Sequence, residues 1–314
     1  MNLVGAVDIG GTKIAVGLVD SSGQILEREV RPTAPEKGFE DGLERIRVML
    51  AQCLERQPGG HLAGVGVGCT GPVDPDTGVL GPNSFLPLWE GVGLVERMQA
   101  ALGVPVAIEN DADAAALGEV SWGAGQGSAR CVYVTVSTGI GCGLVLDGRL
   151  YRGAGGAHPE LGHLSLELTG GGPICYCGGR GCWESLASGP ALASWYWDQA
   201  ALRGITLPEV VDAREVCRRA EQGEPLAVEA IERESFYLGA GLANLINAFV
   251  PDVIVLGGGV MESWPLFEAG AREVIRTNCR LVPHELAQLR RASLGDRTGL
   301  AGAARVWFHR FAIP

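Results

Sequence analysis

Short apolar runs separated by glycine-rich turns occur at the start of the chain and again near its middle. The runs Leu3 to Val7 and Ile14 to Val19 predict two buried strands joined by a tight turn. A related pattern, Cys131 to Ser137 followed by Cys142 to Leu146, predicts a second hairpin with its own glycine turn. We interpret the two hairpins as a weak internal repeat.

Longer segments with a helical period alternate with further apolar runs, which predicts an α/β protein. Additional strands are predicted over Gln24 to Val30, Leu62 to Gly68, Val104 to Ile108 and Asp252 to Leu256. Helices are predicted over Phe39 to Arg56, Gly91 to Leu102, Asp111 to Val120, Pro190 to Leu202, Ala213 to Ala220 and Pro225 to Phe249, and after Met261. The last apolar segment, Thr298 to Phe311, predicts a helix that packs back on the first part of the chain.

The order of these elements predicts two lobes. A chain of 314 residues, 46% of them hydrophobic, can bury a core in each. We expect residues 1–118 to form an N-terminal α/β lobe that is joined by a C-terminal helix at 298–312, and residues 119–297 to form a C-terminal α/β lobe. Between Tyr151 and Ser188 the regular period disappears and glycine, cysteine and proline increase, which predicts a structured insertion with a metal-binding loop at 158–184.

Composition excludes several classes of protein. A formal charge of −11 disfavours nonspecific binding to nucleic acid, and no apolar run approaches the length of a membrane span. Met1 begins almost directly on a predicted strand, without a basic leader. We therefore expect a cytoplasmic protein without nucleic-acid or membrane partners, whose nine cysteines are thiols or metal ligands rather than disulfides.

The first turn carries residue types that suit a phosphate group. Backbone N–H groups at Gly10 and Gly11, the Thr12 hydroxyl and the Lys13 ammonium can all donate to phosphate oxygens. Asp8, at the end of the preceding strand, can hold a hydrated Mg²⁺. The alternative from these residues alone is an ordinary glycine hairpin.

A second group of polar residues lies where a predicted strand ends and a helix begins. Asn110 and Asp111 would then face the mouth of a cleft between the lobes, where a carboxylate at a helix N-terminus can accept a proton from an alcohol. The alternative is that Asp111 or Asp113 only caps the helix. With two candidates, one carboxylate can cap while the other acts as the base.

A third group combines thiols, an imidazole and carboxylates within a short segment. His163, Cys175, Cys177 and Cys182 make a closed tetrahedral Zn²⁺ set, and four protein ligands indicate a structural metal. The alternative is three incidental thiols and a surface histidine. We interpret His158 as a loop residue, because four better ligands are present. The carboxylates Glu160 and Glu184 flank the ligands and can accept hydrogen bonds from a polyol.

These motifs together resemble the ROK family (repressors, open reading frames and kinases) of the superfamily of sugar kinases, heat-shock chaperones and actin, along essentially the whole chain. The segments that carry the resemblance are Asp8 to Lys13, Gly71 to Asp74, Asn110 to Asp113, Ser137 to Gly141, Glu160 to His163 and Cys175 to Glu184. The resemblance implies a two-lobed, actin-like ATPase fold related to ribonuclease H, with a zinc-binding loop. The chain departs from the family in two places. Asn83 lies six residues before Trp89 instead of in a shorter NxxxW stretch, and a glycine stretch from Thr169 to Gly172 lengthens the loop between His163 and Cys175.

The resemblance also implies roles for individual residues. Asp111 would be the base that activates a sugar hydroxyl toward the γ-phosphate of ATP, with Mg²⁺ as a further cofactor. The sugar would be held by Asn110, Glu160, His163 and Glu184, with Asn83 as a further contact. Zinc would bind His163, Cys175, Cys177 and Cys182. The residues that line the ATP site would be Gly10, Gly11, Thr12, Thr138, Gly139 and Gly258.

We expect an ATP-dependent hexokinase of the glucokinase type that forms a homodimer or higher homo-oligomer. An N-acetylmannosamine kinase or a fructokinase stays open, because these enzymes need the same base and similar polyol contacts. A sugar-responsive repressor is a competing class, but the first strand begins near residue 3 and leaves no room for a DNA-binding domain. An actin-like or chaperone-like ATPase would have no use for the metal loop.

Overall fold

The computed structural model describes residues 2–169, 171–207 and 210–311. Two five-stranded sheets contain all of its named strands. With the strands numbered along the chain, their order is 3-2-1-4-5 in the first sheet and 10-9-6-7-8 in the second. In each sheet, three strands that are consecutive in the chain lie side by side, and two later strands extend the sheet beyond the first of the three. The internal repeat predicted from the two hairpins therefore corresponds to a repeated strand order.

The first sheet places its parallel strand ends at one edge. Its strands are β1 (Asn2–Ile9), β2 (Lys13–Val19), β3 (Ile25–Pro32), β4 (His61–Cys69) and β5 (Val106–Asn110). Strands β1 and β5 both run parallel to β4, and the register aligns Asp8 with Gly68 and Gly68 with Glu109. The C-terminal ends of these three strands therefore deliver Asp8 and the residues after β5 to the same edge.

Both faces of the first sheet are covered, which explains its near-continuous apolar strands. One face packs on α1 (Phe39–Glu55) and α2 (Leu94–Leu102), with Val7, Ile9 and Trp89 among the buried residues. The other face packs on α9 (Thr298–Phe311). The helix approaches so closely that a Cβ on Gly66 of β4 would lie 1.9 Å from the Ala303 carbonyl oxygen.

Helix α3 (Asp111–Trp122) follows β5 directly and is buried on all sides from Ala112 to Glu119. It packs on α9 through small residues: a Cβ on Gly118 would lie 2.9 Å from Gly302 N, and one on Gly302 would lie 2.4 Å from Ala114 O. The absence of side chains at these two glycines lets the two helix backbones come together.

The second sheet and its helices form the other half of the fold. Its strands are β6 (Cys131–Val136), β7 (Ile140–Leu146), β8 (Arg149–Leu150), β9 (Val253–Gly257) and β10 (Gln288–Arg291). Its helices are α4 (Trp183–Ala187), α5 (Gly189–Leu202), α6 (Ala213–Glu221), α7 (Pro225–Phe249) and α8 (Trp264–Asn278). Helix α7 is central among these helices, because α4, α5, α6 and α8 all pack against it.

The chain divides into two compact units. One unit contains residues 1–129, 143–159 and 292–314, and the other contains residues 130–142 and 160–291. The boundary predicted between residues 118 and 119 stays a prediction. Residue 312, the predicted end of the last helix, lies outside the described residues. No helix in the described part of the chain combines the length and the hydropathy needed to cross a bilayer.

Several element boundaries differ from those predicted. Helix α2 begins at Leu94 rather than Gly91, and β5 begins at Val106 rather than Val104. Helix α4 lies inside the segment that was expected to be irregular, and β10 was not predicted at all. Strand β10 has only four residues, three of them polar, so it carries no alternating pattern that could reveal it.

Glu234 is a buried acid in α7, and neither of its carboxyl oxygens has a hydrogen-bond partner among the described residues. Burial, offset only in part by the neighbouring Arg233 guanidinium, raises the pKa of Glu234 to about 8. An unfolded chain releases this proton near the ordinary pKa of 4.5, whereas the folded protein keeps it. The free energy of unfolding should therefore fall as the pH rises from about 4.5 to about 8.

Glu234→Gln should remove this part of the pH dependence and raise the free energy of unfolding at pH 8 by on the order of 1–4 kcal/mol. Denaturant unfolding at pH 5 and pH 8 measures the effect. Glu232→Gln, an exposed neighbour on the same helix, is the control and should change neither value. A Glu234→Gln protein with the parental pH slope would contradict the prediction.

Candidate functional site

The turn between β1 and β2 is held in shape from two sides. The Gly10 amide donates to the Lys13 carbonyl oxygen at 3.0 Å, so the tight turn is centred on Gly11 and Thr12 rather than on Gly10 and Gly11 as predicted. Thr33 braces the turn, because its amide donates to Thr12 O at 3.0 Å and its hydroxyl to Gly10 O at 2.6 Å. Sequence reasoning missed Thr33, which lies beyond β3 and carries no motif.

The side chains of this turn are available to a ligand. Thr12 and Lys13 are both exposed. Gly11 is required for space rather than for an unusual backbone angle: its φ is not positive, but a Cβ there would lie 2.9 Å from Cβ of Phe85. The turn thus presents an exposed hydroxyl and an exposed ammonium beside glycine backbone, which suits an anion.

Asp8 lies at the end of β1, against the first turn of α9. A Cβ on Gly299 would lie 2.2 Å from Asp8 Oδ2, so only glycine at that position lets the helix start so close to the carboxylate. The pKa of Asp8 is raised to about 6: burial raises it most, the Asp111 carboxylate raises it as well, and the Lys13 ammonium offsets part of the rise. The two acids are thus close enough for the charge of one to affect the other.

Asp111 is the first residue of α3 and is half-buried. A Cβ on Gly68 would lie 3.7 Å from Asp111 Cα, so the end of β4 leaves room for the start of this helix. The N-cap of α3 is Asn110, whose Oδ1 accepts from the Ala112 amide at 2.8 Å. The alternative in which Asp111 or Asp113 is the N-cap is therefore wrong, because the Asn110 side chain fills that position.

Asp113 and His158 form a buried pair. Asp113 Oδ2 lies 2.8 Å from His158 Nδ1, and the two side chains are 2% and 7% exposed. Burial raises the pKa of Asp113, and the hydrogen bond and charge of His158 offset part of that rise. His158 is thus more than a loop residue, although it lies outside the cysteine cluster. Its contact with α3 could not be read from local sequence, because 44 residues separate the two positions.

Asn83 has an internal structural role in addition to any ligand contact. Its Nδ2 donates to Thr70 O at 2.8 Å, and its Oδ1 accepts from the Phe85 amide at 2.9 Å. Gly71, with φ of 91°, lies directly against this amide, and Asn110 Nδ2 is 3.4 Å from Gly71 O. The structure therefore brings Asn83 and Asn110 to the same glycine turn.

In the other unit, Glu184 is tied to the hairpin between β6 and β7. Its Oε2 accepts from the Ile140 amide at 2.8 Å, and the residue is buried. A Cβ on Gly139 would lie 2.3 Å from the same oxygen, so Gly139 gives Glu184 the room it occupies. Burial raises the pKa of Glu184, and Glu160 adds to that rise, while the Ile140 amide and His163 oppose it.

The other predicted nucleotide-binding positions in this unit lie on turns. Thr138 is exposed at the tip of the same hairpin. Gly258 follows β9 with φ of 87°, and a Cβ there would lie 2.3 Å from the Val136 carbonyl oxygen. Gly258 is therefore required by its backbone angle and by close packing on β6, whether or not it also contacts a ligand.

The ligand atoms of His163, Cys175, Cys177 and Cys182 all lie within 4.8 Å of one another. Cys177 and Cys182 have their sulfurs 3.7 Å apart, and Cys175 Sγ is 3.5 Å from His163 Nδ1. Zinc–sulfur bonds of about 2.3 Å arranged tetrahedrally place sulfurs about 3.8 Å apart, so the four residues fit one tetrahedral ion. The Gly179 amide donates to Cys177 Sγ at 3.4 Å and lowers the pKa of that thiol, which favours the thiolate that a metal needs.

The geometry assigns different tasks to the two ring nitrogens of His163. Nδ1 faces the cysteines, whereas Nε2 lies 3.3 Å from the Tyr176 hydroxyl and 4.0 Å from Glu160 Oε2. Binding of a metal at Nδ1 would leave the proton on Nε2, so that nitrogen could donate a hydrogen bond. Tyr176 is 65% exposed and was not singled out from the sequence.

The chain has close relatives along its whole length. Residues 4–310 match the ROK family, and glucokinase of Streptomyces coelicolor is 34% identical over 322 aligned positions that cover 97% of each protein. This chain belongs to the ROK family. The xylose repressor of Bacillus subtilis is a relative of another kind, 30% identical over 97% of this chain and 77% of the repressor.

Solved structures of ROK proteins share the fold. The ROK family glucokinase of Streptomyces griseus, in complex with glucose and AMPPNP, has a TM-score of 0.81 and 34% identity, covering 96% of this chain and 98% of that one. The ROK hexokinase of Thermus thermophilus has a TM-score of 0.81 and 39% identity, covering 97% of both chains. The predicted actin-like ATPase fold of the family is therefore confirmed.

Gly139→Ala tests whether the Glu184 carboxylate of this ROK protein is held for a ligand. The added Cβ would displace Oε2 and break its bond to the Ile140 amide. We expect the KM for the sugar to rise about tenfold, as the loss of one charge-assisted hydrogen bond implies. Gly93→Ala is the control, because its Cβ would meet only Glu96 Oε2, at 3.7 Å. An unchanged sugar KM in Gly139→Ala would remove Glu184 from the sugar site.

Proposed function

We propose that the protein phosphorylates a hexose with ATP, converting glucose to glucose 6-phosphate. The proposal is carried by one observation: the chain aligns over 97% of its length with a glucokinase and retains, at the end of its first sheet, two interacting carboxylates beside a phosphate-type turn. The glucose and AMPPNP bound to the Streptomyces griseus enzyme support the choice of sugar and of nucleotide.

In this proposal Asp111 is the general base. Its carboxylate takes the proton of a sugar hydroxyl as the hydroxyl oxygen bonds to the γ-phosphorus of ATP and the bond from that phosphorus to the bridging oxygen of ADP breaks. Because phosphoryl transfer needs charge neutralisation more than covalent chemistry, the remaining residues bind and orient. Donors to the phosphates come from the Gly11 amide, the Thr12 hydroxyl and the Lys13 ammonium. Gly10, expected from the sequence to donate as well, only lines the nucleotide, because its amide is bonded to Lys13 O within the turn. Further nucleotide contacts come from Thr138, Gly139 and Gly258.

Asp8 would hold Mg²⁺ through a shell of water. The residue fits this role, because its carboxylate is largely removed from water and lies near a second carboxylate at Asp111, and both effects raise its pKa. Mg²⁺ bound there would supply positive charge to the phosphates and favour the ionised form of Asp8. Mg²⁺ is a hard cation that prefers oxygen ligands such as a carboxylate.

We further propose that Zn²⁺ binds to His163, Cys175, Cys177 and Cys182 as a structural ion. With four protein ligands, the ion has no open position for water and takes no part in the transfer itself. The sugar hydroxyls would be bound by Asn110, Glu160, Glu184 and the Nε2 of His163, with Asn83 as a further contact. An N-acetylmannosamine kinase or a fructokinase would use the same groups to bind its sugar.

We also propose that the protein forms a homodimer or a higher homo-oligomer.

A coupled assay with ATP and a panel of hexoses tests the proposed function. The panel contains glucose, mannose, fructose and N-acetylmannosamine, each measured for kcat/KM. Glucose should give the highest value. A higher value for another sugar would replace glucose as the substrate, and no turnover of any sugar would favour the second class among the relatives, the sugar-binding repressors.

A further inference from the structure

Glu119 is a buried carboxylate with partners in the turn just after α3 and in the distant segment that leads into α9. It lies on α3 with no exposed surface. Its Oε2 accepts from the Ala124 amide at 2.7 Å and from the Ser293 amide at 3.3 Å, while Oε1 accepts from the Leu294 amide at 3.1 Å. The Thr298 hydroxyl lies 3.3 Å from Oε1 as well. Burying a charged carboxylate costs free energy unless its oxygens accept hydrogen bonds. The four donors around Glu119 provide these bonds, which indicates that the carboxylate is a specific part of the structure.

The surroundings leave space for this carboxylate and little else. A Cβ on Gly123 would lie 2.0 Å from Glu119 Oε2, so the turn after α3 depends on glycine there. The backbone amides of Gly123 and Gly125 both donate to the Glu119 carbonyl oxygen at 3.0 Å. Both the side chain and the main chain of Glu119 therefore organise the residues that follow α3.

The partners of Glu119 lead to Asp8. Ser293 and Leu294 lie just before α9, and Thr298 is its first residue. The next residue, Gly299, is the one whose Cβ would lie 2.2 Å from Asp8 Oδ2. Three contacts of one carboxylate thus fix the start of α9 immediately before it meets the acid at the end of β1.

Glu119 also lies on the helix that begins with Asp111. Helices α3 and α9 start near the two acids proposed for phosphoryl transfer, and the Glu119 carboxylate joins the end of one helix to the beginning of the other. A shift of α9 along α3 would change the distance between Gly299 and Asp8 without unfolding either helix.

We propose that Glu119 is a positioning residue for the phosphoryl-transfer site, holding the N-terminus of α9 in place so that Asp8 is correctly oriented toward Mg²⁺ and nucleotide. This inference rests on the proposed function. Glu119 itself touches no substrate. Replacing Glu119 should therefore weaken metal and nucleotide binding but leave sugar binding unchanged. A residue that only stabilises the fold would affect all three kinds of binding alike.

The test uses Glu119→Gln in the full-length protein. The amide keeps the size of the carboxylate but places an N–H₂ donor against the backbone amides that now bind a carboxylate oxygen. We expect the Mg²⁺ concentration for half-maximal rate and the Kd for Mg·AMPPNP, measured by calorimetry, to rise about tenfold, and the sugar Kd to stay within about twofold. Ser121→Ala is the matched control, because it removes a different α3–α9 hydrogen bond, 2.7 Å from Arg305 Nε to Ser121 Oγ.

Thr298→Val provides a second variant if Glu119→Gln does not fold. It removes the hydroxyl that lies 3.3 Å from Oε1 and 2.9 Å from Gly295 O, both at the start of α9, and should change the same two quantities by about threefold. Parental Mg²⁺ dependence and Mg·AMPPNP affinity in the folded variants, even with a lower Tm, would overturn the proposal. Equal effects in Ser121→Ala would also overturn it. If the parent binds Mg·AMPPNP but phosphorylates no hexose, the proposed function fails, while the binding comparison still decides the role of Glu119.

Discussion

Asp111→Asn is expected to lower kcat by about two to four orders of magnitude while leaving the fold and the sugar affinity nearly unchanged. The amide keeps the shape of the carboxylate but cannot take a proton from the attacking hydroxyl. It can still accept from the Ala112 amide, which Asp111 Oδ1 does at 2.9 Å, so the start of α3 should persist. Steady-state kinetics with saturating ATP, together with calorimetric sugar binding, separates turnover from affinity.

Asp113→Asn is the matched control, because it makes the same chemical change two residues along the same helix. The Asp113 side chain is buried against His158, so this variant should lower Tm more than it lowers kcat. Near-normal turnover in Asp111→Asn, or a comparable loss of kcat in Asp113→Asn with an intact fold, would contradict the assignment of Asp111 as the base.

Loss of the proposed zinc ion is expected to weaken sugar binding at least about tenfold, while the ATP affinity changes within about twofold. Cys182 is the N-cap residue of α4, the helix that carries Glu184, and His163 would be both a metal ligand and a sugar contact. Without the ion, neither the orientation of the imidazole nor the start of α4 is fixed by coordination. The sugar contacts of this loop should therefore be affected first.

Cys177→Ser is the variant of choice, because Cys177 is the exposed member of the cluster and its loss should disturb packing least. Elemental analysis should give about one zinc per chain in the parent and less in the variant. Cys279→Ser, a buried cysteine outside the cluster whose thiol is 3.5 Å from Ala243 O, is the control and should keep both zinc and sugar affinity. An unchanged sugar KM in a metal-free preparation would disconnect the cysteine cluster from the sugar site.

The sequence was most informative where one local pattern is sufficient. Alternating and continuous apolar runs located β1, β2, β4 and β6, because a buried strand needs apolar residues whatever surrounds it. The residues of the cysteine cluster were also found from spacing alone, since ligands of one metal must be close and a short glycine-rich loop brings them together. The family assignment drew on several such motifs at once and is confirmed.

What the sequence left open depended on contacts between distant residues. Local preference could not decide which residue caps α3, because asparagine and aspartate are equally favoured caps, and backbone geometry selected Asn110. Three sets of contacts join segments that no periodicity links: His158 with Asp113, Thr33 with the first turn, and Glu119 with Ser293, Leu294 and Thr298. Such groups come together only in the folded chain. A buried polar group must be hydrogen-bonded, and its partner is set by the packing of the whole chain rather than by the local sequence. The sequence by itself thus determined most of the strands, although not β10, together with the metal-type cluster and the family, and the tertiary structure decided which side chains hold them in position.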